Sequence, residues 1–133
     1  MPNAHPLRAA VEGEDWPAVE ALLHPDVQFR SPAVFAAYAG RTACLHLLHM
    51  VKEVFEGFHY IDELSGRSAD GPTTGLVFRA SVDGKDLEGW DYLTHDHDGL
   101  ITQFVVMVRP LSGLIALAQA MGARLEAAPV PTD

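Results

Sequence analysis

A single cysteine, Cys44, stands among 133 residues. No internal disulfide is open to such a chain, which reads as a reduced, cytoplasmic protein. Basic residues are scarce: nine Lys+Arg against eighteen Asp+Glu leave a formal charge of -9. A phosphate backbone needs a basic face, and an anionic membrane surface repels this charge, so neither nucleic acid nor membrane is an expected partner. No apolar run approaches the ~18 residues of a spanning helix. The start, Met1-Pro2-Asn3-Ala4-His5-Pro6, lacks a basic stretch followed by an apolar one, so no signal peptide is expected. Also missing are a glycine-rich phosphate loop, Gly-x-Ser-x-Gly and His-Glu-x-x-His. Nucleotide enzymes, serine hydrolases and zinc proteases are left without support. No residue pattern calls for a cofactor.

What is present suits a globular chain: 48% hydrophobic and 20% charged residues. Its length fits one domain, 1–133, with a loose tail over 127–133 around Pro129 and Pro131. Leu7, Ala10 and Val11 recur at helical spacing up to Gly13. Asp15 then serves as an N-cap for a helix through Val19, Leu22 and Leu23, with Pro17 in its first turn. His24-Pro25-Asp26 stops that helix. A short strand from Val27 ends at Pro32, and Ser31 to Gly40 reads as a loop carrying Phe35 and Tyr38. Cys44, Leu47, Leu48, Val51 and Phe55 form one stripe of a helix over 42–55, with Gly57 as its cap. Strands follow at about 58–67, 73–82, 86–95 and 100–109, punctuated by Asp70-Gly71-Pro72, Asp83-Gly84 and Asp98-Gly99. Ser112 caps a closing helix whose face holds Leu114, Leu117, Ala118, Met121 and Leu125. Helices followed by consecutive strands imply α+β with an antiparallel sheet that curls around the helices.

The turns set a register. If Asp83-Gly84 and Asp98-Gly99 are two-residue turns, Leu76 faces Asp91, and Asp91 faces Val106. One sheet face then holds Leu76, Phe78, Ala80, Leu87, Leu93, Phe104, Val106 and Val108, with Asp91 among them. The other holds Val77, Trp90, Tyr92, Val105 and Met107, and puts Glu88 between Arg79 and Arg109. Both faces are largely apolar. The first covers the helices. The second is too apolar for free solvent and predicts a homodimer through Val77, Trp90, Tyr92, Val105 and Met107, unless the closing helix or the tail covers it. A bulge at 95–99 would exchange the faces of the last strand.

Asp91 is the only ionisable group this register leaves on the inner face. Burial raises a carboxyl's pKa and turns it into a proton donor or shuttle near neutrality. The plainer reading is a structural hydrogen bond to backbone or to a tyrosine such as Tyr38. His95-Asp96-His97-Asp98 invites a metal, but alternation splits the pairs and a turn glycine follows, so it reads as a solvated hairpin tip. His46 and His49 fall on the wet face of their helix, beside Glu53. Cys44 reads as an inert core thiol, and the orientation of His59 is left open. No metal site is expected.

Val27-Gln28-Phe29-Arg30-Ser31-Pro32 and Tyr38-Ala39-Gly40-Arg41 resemble the SnoaL-like branch of the nuclear-transport-factor-2-like superfamily. So do Leu87-Glu88-Gly89-Trp90-Asp91, Asp98-Gly99-Leu100-Ile101 and Val106-Met107-Val108-Arg109-Pro110. The resemblance implies a cone: a strongly curved mixed or antiparallel sheet wrapped around helices, with an internal apolar pocket and dimerisation through the outer sheet face. Members include polyketide cyclases, ketosteroid isomerases and epoxide hydrolases, so the fold alone does not decide function. Ketosteroid isomerases resemble the chain at Asp91, where they use a protonated aspartic acid. Their base would fall near Ser31 and their tyrosine near Leu7. The epoxide hydrolase set would fall on Arg79-Ala80-Ser81 and near Val106. Neither set is complete. The resemblance implies binding of a small, mostly apolar molecule by Trp16, Phe29, Phe35, Tyr38, Leu48, Phe78, Asp91, Leu93 and Phe104. Two alternatives stand beside it. One is a cofactor-free proton-transfer enzyme with Asp91 as acid/base and Tyr38 as helper. The other is a non-catalytic dimeric scaffold with a filled interior.

Overall fold

The computed structural model describes residues 4–131. Met1, Pro2 and Asn3, part of the signal-peptide argument, and Thr132 and Asp133, part of the expected tail, lie outside the described residues.

Two short helices come first. Pro6 opens α1 (Pro6–Glu12), where its missing N–H costs nothing, and His5 Nδ1 accepts from the Leu7 N–H at 3.1 Å. α2 (Trp16–Leu22) starts at Asp15, whose Oδ1 accepts from the Ala18 N–H at 3.2 Å. The chain passes straight into β1 (Leu23–Arg30), which starts before the alternation at Val27. Pro25 is accommodated because the pairing of β1 is irregular between Leu23 and Gln28. The segment 31–40 is not all loop: Tyr38–Ala39 forms β2 against Gln28 and Phe29. α3 (Arg41–Val54) buries Cys44, Leu47 and Leu48. Gly57 does not cap it. Phe55 ends the helix in extended conformation, and Gly57 lies in β3 (Glu56–Ser68) at an irregularity between Glu56 and His59.

β4 (Gly71–Val82), β5 (Lys85–His95) and β6 (Ile101–Arg109) complete the sheet. Its order is β2-β1-β6-β5-β4-β3, mixed because β1 runs parallel to β6. Asp83 and Gly84 both have positive φ, 50° and 75°, which gives the expected tight turn and pairs Val82 with Lys85. The β3–β4 turn falls at Ala69-Asp70, with Gly71 already paired to Ser68. The β5–β6 connection is not a two-residue turn. It spans 96–100, and Asp96 Oδ1 accepts from the N–H groups of Asp98 and Leu100, both at 2.9 Å. A register shift between Thr94 and His95 absorbs the difference, so Leu93 still faces Phe104 and Asp91 still faces Val106. The irregularity sits on the turn side of these pairs and leaves their faces unchanged.

α4 (Leu111–Ala127) closes the chain on the inner side of the sheet. Ser112 lies inside it and Pro110 stands at its cap position, without a side-chain capping bond. The sheet curls around the helices into a cone with a core of Leu7, Val19, Leu23, Val27, Leu76, Phe78, Leu93, Ile101 and Phe104. Gly89 matters to this core: a Cβ there would strike the Phe78 ring, which lies across its cross-strand partner. Val108 is only half-buried. The described end of the tail makes two contacts. Ala128 O is 3.2 Å from His46 Nε2, and Val130 packs against the core. Among the described residues, no helix is long and apolar enough to cross a membrane.

The outer face carries Val77, Trp90 and Met107 in one cross-strand row and Tyr92 beside Val105 in another. Trp90 is 37% and Met107 51% exposed; neither α4 nor residues 128–131 cover this face. Glu88 lies between Arg79, at 3.2 Å, and Arg109, at 3.9 Å. Exposed pairs of this kind contribute about 0–1 kcal/mol, so the ladder marks register more than stability.

Candidate functional site

A cavity of about 200 Å³ lies between the inner sheet face and α1–α4. α3 contributes Leu47, Leu48, Val51 and Lys52, and α4 contributes Leu114, Leu117, Ala118, Met121 and Leu125. The floor is Phe29, Phe78, Asp91, Phe104 and Val106 on the sheet. Phe55, Phe58 and Tyr60 form an aromatic wall with Phe78, at ring-centre distances from 4.9 to 6.4 Å. The lining is almost wholly apolar. Its polar members are Ser31, Tyr38, Lys52, Tyr60 and Asp91.

Asp91 is held at depth, 6% exposed, by strand alternation between Trp90 and Tyr92 on the outer face. Its partner is Tyr60, not Tyr38: the Tyr60 hydroxyl donates to Asp91 Oδ2 at 3.1 Å. Burial pushes the Asp91 carboxyl up to about 7, and the Tyr60 hydrogen bond pulls part of the way back. The Tyr60 hydroxyl is pushed well above the usual phenol range, by burial first and by the Asp91 charge second. Asp91 Oδ1 makes no hydrogen bond within the described residues and is the atom left for a ligand. Such a pair can donate a proton to an oxygen near neutral pH, or accept one from carbon.

Trp16, Phe29, Tyr38, Leu48, Phe78, Asp91 and Phe104 all line this cavity. Phe35 does not: it is 95% exposed in the loop before β2, where no strand pairing turns it inward. Leu93 does not line it either. It is fully buried in the core, two residues past Asp91 along β5. Tyr60, Phe55 and Phe58 were not anticipated. For Phe58 and Tyr60 the irregularities of β3, between Glu56 and His59 and between Tyr60 and Asp62, interrupt the alternation that would have pointed to them; Phe55 belongs to the helical stripe and stands at the end of α3, where it joins the wall. Val51 shares the stripe with Leu48 and Lys52 lies beside it; helical spacing does not separate core from cavity wall, and it singles out neither residue as lining.

The family positions are now placed. Ser31 lines the cavity, but its Oγ accepts from the N–H groups of Ala33 and Val34, at 3.3 and 3.2 Å. Leu7 is fully buried. Arg79 points away from the cavity toward Glu88. His95 corrects the solvated-tip reading. It is buried, stacked on His5 with ring centres 5.1 Å apart, and its Nε2 lies 3.0 Å from Thr74 Oγ1. Burial lowers its pKa, against weaker opposing effects of the Gly99 carbonyl and Asp96. His97 stays exposed. His59 is exposed, with Nδ1 2.8 Å from Gly57 O, and offers no base to the cavity. His49 is exposed beside Glu53 at 3.3 Å, whereas His46 is half-buried. Cys44 is fully buried, and burial pushes its thiol pKa up. Among the described residues, no three His, Cys, Asp or Glu side chains converge as metal ligands.

No family model matches the chain, and no curated protein does. Solved structures do. A steroid delta-isomerase from Pseudomonas aeruginosa is 43% identical, with a TM-score of 0.81, over 90% of this chain and 85% of that one. An uncharacterised bacterial protein with a cystatin-like fold from Silicibacter pomeroyi is 31% identical, with a TM-score of 0.83, over 92% and 84%. A nuclear-transport-factor-2-like protein of unknown function from Burkholderia pseudomallei shares the fold at 14% identity, with a TM-score of 0.66, over 84% and 92%. The element order, the curved mixed sheet and these identities over most of both chains agree: the chain belongs to the nuclear-transport-factor-2-like superfamily, consistent with the SnoaL-like resemblance of its motifs.

Proposed function

We propose that this protein binds a small, largely apolar molecule bearing one hydrogen-bonding oxygen, held against Asp91 and Tyr60. The observation that carries this reading is a deep apolar cavity with a single buried acid whose second oxygen is unpaired. Its volume of about 200 Å³ is below the ~300–1,000 Å³ of pockets for drug-sized ligands. That favours a one- or two-ring compound. The bicyclic ketone α-tetralone is a suitable probe. Calorimetry is expected to give one site per chain, and binding persists in Asp91→Asn, whose amide can still donate to the carbonyl. No heat of binding, with no thermal shift across a panel of such ketones, would sink the reading.

A second reading is supported by the about-neutral pKa of Asp91 and by the isomerase at 43% identity. Here Asp91 takes a proton from the carbon beside a carbonyl and returns it at another carbon, and needs no cofactor. The lining holds no second carboxyl. The two readings part on hydrogen exchange. An enzyme moves deuterium from solvent into α-tetralone at C2, and Asp91→Asn stops it while binding survives. A pure binding module shows no exchange above the buffer rate.

We also propose that the chain acts as one domain, in the cytoplasm, and pairs through Val77, Trp90, Tyr92, Val105 and Met107. An apolar surface of this kind is poorly tolerated by a monomer. Sedimentation is expected to give twice the 14.4 kDa chain mass, and Trp90→Glu with Met107→Lys the single mass. A wild-type monomer at every accessible concentration contradicts the pairing.

A further inference from the structure

A purely apolar ligand leaves Lys52 unexplained. It stands in the last turn of α3, half-buried, and lines the cavity. Its ammonium lies 5.4 Å from the centre of the Phe58 ring. Acids outnumber bases eighteen to nine in this chain, yet no carboxylate of the described residues pairs with Lys52. Glu53, next to it, is taken up by His49 at 3.3 Å and Arg124 at 3.8 Å. Among the lining residues only Lys52 and Asp91 carry an amine or a carboxyl, and they sit at different depths. Asp91 is bonded to the Tyr60 hydroxyl, and among the described residues no ion pair joins it to Lys52.

A partly desolvated ammonium beside an apolar hollow attracts an anion more strongly than one in open water. We propose that the ligand is a small amphipathic carboxylate, its apolar body in the hollow, its carboxylate at Lys52 and an oxygen function at Asp91. This rests on the ligand-binding reading above. A monoanion fits better than a phosphate. Lys52 supplies one charge and no forked donor set, and the chain's charge of -9 opposes a dianion.

The test compares 4-phenylbutanoate with 4-phenylbutanamide, two probes that differ in charge, by calorimetry at low salt. The carboxylate is expected to bind about three- to fivefold tighter, the range of a half-exposed ion pair. The preference falls with added salt, disappears in Lys52→Gln and reverses in Lys52→Glu. Arg79→Gln removes the same charge from the outer sheet face and is expected to leave the preference as it was. Equal binding of both probes, or a preference that survives Lys52→Gln, overturns this inference and leaves the cavity reading standing. Failure of both probes and of α-tetralone to bind overturns both.

Discussion

An Asp91→Asn variant is expected to gain stability relative to wild type as the pH rises from 3.8 to about 7. The folded chain raises the Asp91 carboxyl from 3.8 to about 7, chiefly by burial. Below pH 3.8 the acid is protonated in both states, and folding involves no change of charge. Between the two values the unfolded chain releases its proton while the folded chain keeps it, so each pH unit costs about 1.4 kcal/mol. Above about 7 both states are ionised and the loss is complete. The whole interval amounts to about 4 kcal/mol, an order-of-magnitude figure. Other carboxylates titrate in the same window, so the difference between wild type and variant is the quantity to follow, by urea unfolding at several pH values. A difference that stays level across the interval would show that the carboxyl is not held in an apolar site.

Truncating Phe78 to alanine is expected to cost about 3–5 kcal/mol. The ring is 1% exposed, packs on Phe55, Phe58 and Tyr60, and spans the strand gap left by Gly89. It also forms part of the cavity wall, so its removal merges new empty space with an existing hollow that cannot close over it. The consequence is twofold: a lower urea midpoint with unchanged slope, and a site that accepts larger ring systems than α-tetralone. Phe35→Ala serves as the comparison, because Phe35 is 95% exposed and its loss should change stability by no more than ~0.5 kcal/mol. Similar effects from the two substitutions would contradict the placement of Phe78 as a wall shared by core and site.

Strand alternation alone places much of this site. Asp83-Gly84 needs two positive φ angles, which Asp and Gly adopt, and a tight turn there sets every pair from Val82–Lys85 to Leu76–Asp91. That places Asp91 on the inner face and Trp90 on the outer; Met107 joins Trp90 through the β5–β6 register, which the shift between Thr94 and His95 preserves although the connection is longer than a two-residue turn. Elsewhere local pattern and final structure part company. β3 breaks its alternation twice, so Tyr60, the residue that bonds Asp91, could not be assigned a side. Tyr38 was the wrong partner for a related reason: it lies in a two-residue strand too short to show a period. His95 looked like part of a wet turn because its burial depends on His5, at the other end of the chain, and on Thr74 across the sheet. Such long-range contacts leave no mark on local periodicity.

The chemistry of the cavity turns on one proton. Its most direct test is a carbon-13 titration of the Asp91 carboxyl, assigned by its loss in Asp91→Asn, with and without α-tetralone. A midpoint near 7 is expected in the free protein, higher in Tyr60→Phe because the hydroxyl that stabilises the charge is gone, and displaced when the ketone binds. A midpoint near the ordinary 3.8, indifferent to the ketone, would contradict it.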